Sequence, residues 1–310
     1  MTMLQRAKAN LTSSAMRGKW LMIFLAIIPL IAFYMIWLIF PMVYSFVMSF
    51  YNWNPLRREQ EFLRLANYHE VFFKDLVFWE ALKNTAYYAL VTVPVGTVLA
   101  LLVAIMINSL PKHIPFFRMT YFLPVVTSMV AVSIVWRWLY QPRFGFINAL
   151  LGFVASSLGL QISEIRFLTN PRLAMLSVMA MSMWKGIGYT IILFMAGLDA
   201  IPRTYYEAAQ IDGASRWPIF RHIMLPLLRP TMVFILVTGL IGAFQVFTQM
   251  YVMTQGGPIN ATRTIVYLLY DKAFQVYRFG YASALAFILF AIVLVLSVVQ
   301  LRLLRIGWEY

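Results

Sequence analysis

From Trp20 to Leu56 the chain carries no charged side chain. Such a run cannot be covered by water, because it offers no charged face, and it exceeds the roughly 20 apolar residues that cross a bilayer as a helix. It is too long for the apolar part of a cleaved signal and lacks a small-x-small end, so it reads as an uncleaved first span near Leu21 to Phe46. Pro29 and Pro41 are its bend points. Further spans fit Asn84–Ile107, Met119–Tyr140, Leu173–Leu198, Thr231–Thr254 and Tyr281–Leu301. The expected fold class is therefore an all-α membrane protein with six transmembrane helices. The composition agrees, with 62% hydrophobic and 12% charged residues and a mean hydropathy of +0.77, since no soluble single core needs so much apolar surface.

The net charge of +14 would point to nucleic acid in a soluble protein, but here the basic residues are dispersed among loops beside apolar spans. Anionic lipid is the simpler partner, and no nucleic acid is expected. Six spans put both termini on one side. The tail, residues 1–19, with Arg6, Lys8, Arg17 and Lys19, and the loop from Asn108 to Arg118 are purely basic, which favours that side as cytoplasmic. The division that follows is a tail (1–19), the first helix and its outer end (20–56), an extracytoplasmic loop (57–80), a five-helix core (81–305) that includes a loop over 199–229, and a cytoplasmic C-terminus (306–310). There is no cysteine, hence no disulfide and no thiolate metal site.

The polar stretch Ile201–Pro226 has an obvious helical plan. Thr204 followed by Glu207 fits a capping box, which predicts a helix over Tyr205–Asp212. Gly213 stands where a left-handed C-terminal cap is wanted, and Ser215 with Pro218 behind it starts a second helix. Tyr205, Ala208, Ala209 and Asp212 share one face that is small in its middle, so another protein can approach it closely. By itself such a helix more often packs on the chain's own bundle, as helices between membrane spans commonly do.

Glu207-Ala208-Ala209, three residues, Gly213, nine residues and then Ile223-x-Leu225-Pro226 resembles the EAA motif of permease subunits of bacterial binding-protein-dependent importers driven by ATP-binding cassettes. The resemblance implies the type I importer permease fold, with a cytoplasmic coupling helix seated on an ATPase subunit. Its contact set would be Tyr205, Tyr206, Glu207, Ala208, Ala209, Asp212, Gly213 and Ala214. Two further segments resemble the carbohydrate branch of that family, in the manner of maltose and glycerol-phosphate permeases. One runs from Phe122 through Trp136, Pro142 and Gly145 to Asn148, where Trp136, Trp138 and Tyr140 read as interfacial anchors and Arg137 as a snorkelling cation. The other is Gly256-Gly257-Pro258 with its flanks, a loop that in the family faces the solute-binding protein. The implied partners are a second permease subunit, two ATPase subunits, an extracytoplasmic solute-binding protein, the lipid bilayer and a sugar.

A polar group inside a bilayer is costly unless it faces a cavity or a partner. By resemblance, Ser182, Lys185, Gly186, Tyr189, Gly239 and Ala243 would lie on a substrate cavity, with Trp184 beside Lys185. Gln245, Thr248 and Gln249 carry amides and a hydroxyl suited to a sugar. Each could instead serve as polar glue between helices. Lys185 is the sharpest case, because an intramembrane lysine costs about 2.5–3.5 kcal/mol and needs a partner. No lysine sits in a phosphate-binding loop, and no metal-binding or nucleophile motif occurs. The chain reads as a transporter subunit, not an enzyme. It has no catalytic residue, metal site or cofactor of its own, and ATP and Mg belong to the partner ATPase subunits. The rival readings are a self-contained secondary transporter or channel, or an importer of glycerol phosphate or another polyol derivative. The first usually shows acids within its spans, and the predicted spans contain none.

Overall fold

The computed structural model describes residues 22–56, 60–108 and 114–304. The basic tail, Arg57 and Arg58, Lys112 and His113, and the chain from Arg305 onward lie outside the described residues.

Four helices are long and apolar enough to cross a membrane alone: α1 (Met22–Met48), α3 (Leu76–Asn108), α7 (Pro171–Asp199) and α13 (Phe279–Leu303). Two bent pairs, Met119–Val126 with Met129–Leu139 and Arg216–Leu227 with Arg229–Phe244, bring the number to six where each pair counts as one span. Here α4 is Ile114–Val126, α5 Met129–Leu139 and α6 the shorter apolar helix Phe146–Ser157. Helix α1 is peripheral. None of its most apolar stretch is buried, and it holds the bundle through its last turns, where Ser45 donates to Ser283 at 3.1 Å and Phe46 meets Phe287.

Charge made the sequence reading start the second span too late. Glu80 and Lys83 point to loop, yet α3 begins at Leu76, where the Asp75 carboxylate accepts the Val77 N–H at 3.0 Å. Glu80 therefore sits in the second turn of that long apolar helix. Between α1 and α3 lie a two-residue hairpin, β1 (Tyr51–Asn52) against β2 (Glu61–Phe62), and α2 (Ala66–Phe73).

Two spans expected as continuous are broken. The third turns by 104° between Val126 and Met129. Thr127 folds its hydroxyl back to the Pro124 carbonyl at 2.6 Å, and Lys185 of α7 donates to the Val125 carbonyl at 3.3 Å. The fifth ends as a helix at Phe244, ten residues before the expected Thr254, and resumes as α11 (Thr248–Met253). The Val246 carbonyl exposed by this break accepts the Thr264 hydroxyl at 3.0 Å. Backbone groups freed inside a bilayer must find such partners.

Helix α3 packs along α7, with α10 (Arg229–Phe244) across α3 and α4 against α7. At Gly188 of α7 a Cβ would collide with the Tyr121 carbonyl, so glycine permits the α4–α7 approach. One core, around Phe78, Met179, Met250, Leu268 and Leu285, fills the end of the bundle near α2. A second, around Phe194, Met195, Leu198 and Leu228, fills the opposite end.

That first end is fastened by polar contacts. Arg278 donates to both carboxylate oxygens of Glu70 at 2.8 and 2.7 Å, and the Tyr281 hydroxyl donates to Asp75 at 2.6 Å with Lys272 3.5 Å away. The bidentate guanidinium holds the Glu70 carboxyl below the usual carboxylate range. Burial opposes a similar lowering at Asp75, which the Tyr281 hydroxyl and the Lys272 ammonium bring about.

Candidate functional site

Both span breaks and three helices meet at a cavity of about 440 Å³. Helix α7 contributes Ser182 and Gly186, α10 contributes Gly239 and Ala243, and the break after it contributes Gln245, Thr248 and Gln249. Buried Gln249 donates through Nε2 to the Tyr88 hydroxyl at 3.1 Å and to the Ser182 hydroxyl at 3.3 Å. Ser182 in turn donates to the Val178 carbonyl at 2.8 Å. With its N–H groups engaged, the Gln249 amide is held in one orientation. Among the described residues, no charged side chain lines this cavity.

Three residues expected at the cavity stand elsewhere. Trp184 leaves the lining and packs its ring on Trp136, centroids 5.4 Å apart. Lys185 points to the α4–α5 break, where it satisfies the Val125 carbonyl and offers its charge to nothing inside the cavity. Tyr189 is 49% exposed on another face of α7. The reason is helical phase: Ser182, Gly186 and Thr190 repeat at i and i+4 on one face, and Lys185 and Tyr189 repeat on the next.

The α3 wall escaped the sequence reading. Tyr88, Thr92, Gly96 and Thr97 all line the cavity. Their spacing at i, i+4, i+8 and i+9 in an otherwise apolar span was the available signal. Thr92 and Thr97 donate to the carbonyls of Tyr88 and Val93, which hides their polarity within the helix.

At the other end of the bundle lies α8 (Arg203–Ile211). It starts two residues before the predicted Tyr205, because Pro202 takes the N-cap position and Thr204 lies within the helix; Pro202 offers no side-chain cap, so the capping box is not formed. The C-terminus is as expected. Gly213 has φ +79°, the Ala214 N–H reaches the Ala209 carbonyl at 2.9 Å and the Gly213 N–H reaches that of Gln210 at 3.1 Å, a Schellman closure. Tyr206 packs inward on the second core and burial raises its phenol pKa, while Tyr205, Glu207, Ala208 and Asp212 are exposed and Ala209 and Ala214 are half-buried. Ile211 is 86% exposed at the tip. After Ser215 the chain turns into α9 (Arg216–Leu227), which leads through a 62° bend into α10.

The Gly-Gly-Pro loop is tied to α3. Asn84 donates to the Asn260 and Arg263 carbonyls at 2.8 and 3.1 Å, and Thr85 accepts the Ile265 N–H at 3.0 Å. Of the expected interfacial anchors, Trp138 is exposed, but Tyr140 is buried and donates to the Ser177 carbonyl at 3.0 Å. Arg137 reaches the Val252 carbonyl at 3.5 Å.

Comparison with known proteins agrees over nearly the whole length. The probable ABC transporter permease protein YurN of Bacillus subtilis strain 168 is 34% identical over 288 residues, covering 92% of this chain and 97% of its own. The lactose transport system permease protein LacF of Rhizobium radiobacter is 33% identical over 281 residues, 89% of this chain and 91% of its own. The trehalose/maltose transport system permease protein MalF of Thermococcus litoralis is 30% identical and covers 96% and 98%. Among solved structures, a chain of a bacterial ABC transporter involved in the import of the acidic polysaccharide alginate superposes with a TM-score of 0.82 at 23% identity, over 96% of this chain and 99% of that one. The model of the family described as binding-protein-dependent transport system inner membrane component matches residues 15–305. The chain belongs to that family.

Proposed function

We propose that this inner membrane component forms half of the translocation pathway of an ATP-driven saccharide importer, with α8 as the helix that couples it to an ATPase subunit. The observation that carries the reading is the cavity at the two span breaks, where amide and hydroxyl groups stand among apolar side chains and, among the described residues, no charge lines the wall. Such a lining suits a neutral polyhydroxylated solute, whose hydroxyls donate and accept and whose ring faces are apolar. It counts against a phosphate ester, which would want a guanidinium or ammonium there. The names of relatives that transport lactose or trehalose and maltose support the same class.

In this reading α8 lies in the cytoplasm, the Gly-Gly-Pro loop faces an extracytoplasmic solute-binding protein, and the exposed surface of α1 meets lipid and a second permease subunit. ATP and Mg are bound by two separate ATPase subunits, and this chain holds no cofactor. Closure of the ATPase pair would reach the cavity through α9 and α10, which join the coupling segment to the cavity wall without an intervening loop. The test is purification of the tagged chain from its native membrane with uptake measured in parallel. Expected are a co-purifying second permease and ATPase, and saccharide uptake that Gln249→Ala lowers about tenfold or more. A chain that purifies alone and transports without an ATPase would overturn the proposal.

A further inference from the structure

Four aromatic rings lead from the cavity wall toward the surface: Phe247, Tyr251 and Tyr270 are mutually adjacent, and Phe274 lies beyond Tyr270 and against Phe279 of α13. Phe247 lines the cavity. Its ring lies 5.4 Å from that of Tyr251 and 5.0 Å from that of Tyr270, Tyr251 and Tyr270 are 5.3 Å apart, and Phe274 follows 5.4 Å beyond Tyr270. The row is built from two i, i+4 pairs: Phe247 and Tyr251 across the break into α11, and Tyr270 and Phe274 from α12 (Ile265–Tyr270) into the π-helical turn that continues it. Buried Tyr267 backs it. Tyr251 is 40% and Phe274 54% exposed, so the row is not core.

Aromatic rings at membrane interfaces ordinarily form a belt facing lipid. A belt has no reason to continue into a cavity that carries hydroxyl and amide groups, and these rings do so through Phe247. Two of its members also carry hydroxyls, so the row offers apolar faces with polar edges, the complement of a pyranose or furanose ring with its apolar face and hydroxyl rim. Resting on the saccharide reading of the cavity, we infer that Phe247, Tyr251, Tyr270 and Phe274 form an access subsite on which successive rings of an oligosaccharide stack as they pass from the outer surface into the cavity. A single sugar ring gains little from the row, since it occupies one position at a time. A chain of three or more rings engages several positions together and depends on it.

The test uses the assembled transporter at matched levels and saturating solute-binding protein. The probes are radiolabelled malto-, cello-, galacto- and arabino-oligosaccharides of one to five rings, restricted to those the wild type carries. Tyr251→Phe, Tyr251→Trp and Phe274→Tyr keep a ring and are expected within about twofold of wild type at every length. Tyr251→Leu and Phe274→Leu keep apolar bulk without a ring and are expected to slow uptake several-fold for three or more rings and less than twofold for one; Tyr270→Leu is the reserve if either assembles poorly. Equal loss at all lengths, equal behaviour of ring-keeping and ring-removing variants, or no loss overturns the subsite. Gln249→Ala separates this from the cavity reading: if it too leaves uptake untouched, the cavity assignment has failed, whereas loss there with normal Leu variants rejects the aromatic row alone.

Discussion

Lys185 is the most conspicuous residue of the sequence, and its ammonium donates to a backbone carbonyl. An intramembrane ammonium needs a partner, and the kink between α4 and α5 supplies one in the Val125 carbonyl. Position in the sequence could not reveal this, because the partner exists only where a helix 60 residues earlier breaks. Lys185→Met is therefore expected to weaken uptake of all saccharides by a similar factor, with neutral and anionic ones alike. Uptake of several radiolabelled saccharides at matched complex levels reads this out, and selective loss of an anionic substrate would return the lysine to the cavity. Gln249 shows the converse. Its amide chemistry was legible in the sequence, but its engagement with Tyr88 and Ser182 depends on the break after Phe244, which no proline marks; Gly239 and Gly242 were the only nearby irregularity.

At the scale of elements, α8 was legible because its end is encoded locally: glycine at φ +79° closes the Schellman turn, and the small face follows from spacing. Its start was misread because Pro202 competes with Thr204 for the cap and takes it. A β-branched residue at Gly213 would strain the turn by roughly 1–2 kcal/mol and tilt the tip. Gly213→Val, and separately Ala208→Glu, should leave the permease folded yet reduce ATPase retention on purification and transport-coupled hydrolysis several-fold. Normal values in both would remove α8 from the coupling role. The opposite end of the bundle makes a pH-dependent prediction. Arg278 holds the Glu70 carboxyl below its ordinary value, so the support it gives is complete above the unfolded value of about 4.3 and is lost as pH falls through the lower folded value. The melting temperature of the purified complex should thus fall more steeply on acidification from about pH 5 to pH 3 in wild type than in Glu70→Gln. Parallel slopes would show that the pair does not link α2 to the start of α13.

Across the whole molecule, the long apolar helices were readable from charge-free runs, while their shapes were not: hydropathy is blind to a break inside an apolar stretch, and the breaks after Val126 and Phe244 lie where the cavity forms. Sidedness is the property on which the proposed function turns, since a permease that receives solute from one compartment and an ATPase from the other must present the Gly-Gly-Pro loop and α8 to opposite faces. The chain offers a clean way to measure it. It has no cysteine, so a single introduced thiol is the only one in this subunit. Ile211 at the tip of α8 is 86% exposed and Ile259 beside the Gly-Gly-Pro turn is 89% exposed, so neither substitution removes buried packing. With a membrane-impermeant maleimide, Ile259→Cys should label in right-side-out vesicles and Ile211→Cys only in inside-out ones. Bound ATPase should slow labelling of Ile211→Cys, because α8 would then be covered, and leave Ile259→Cys unchanged. Labelling of both thiols from one side would contradict the six-span arrangement, and the reversed pattern would put α8 outside the cell, where no ATPase could reach it.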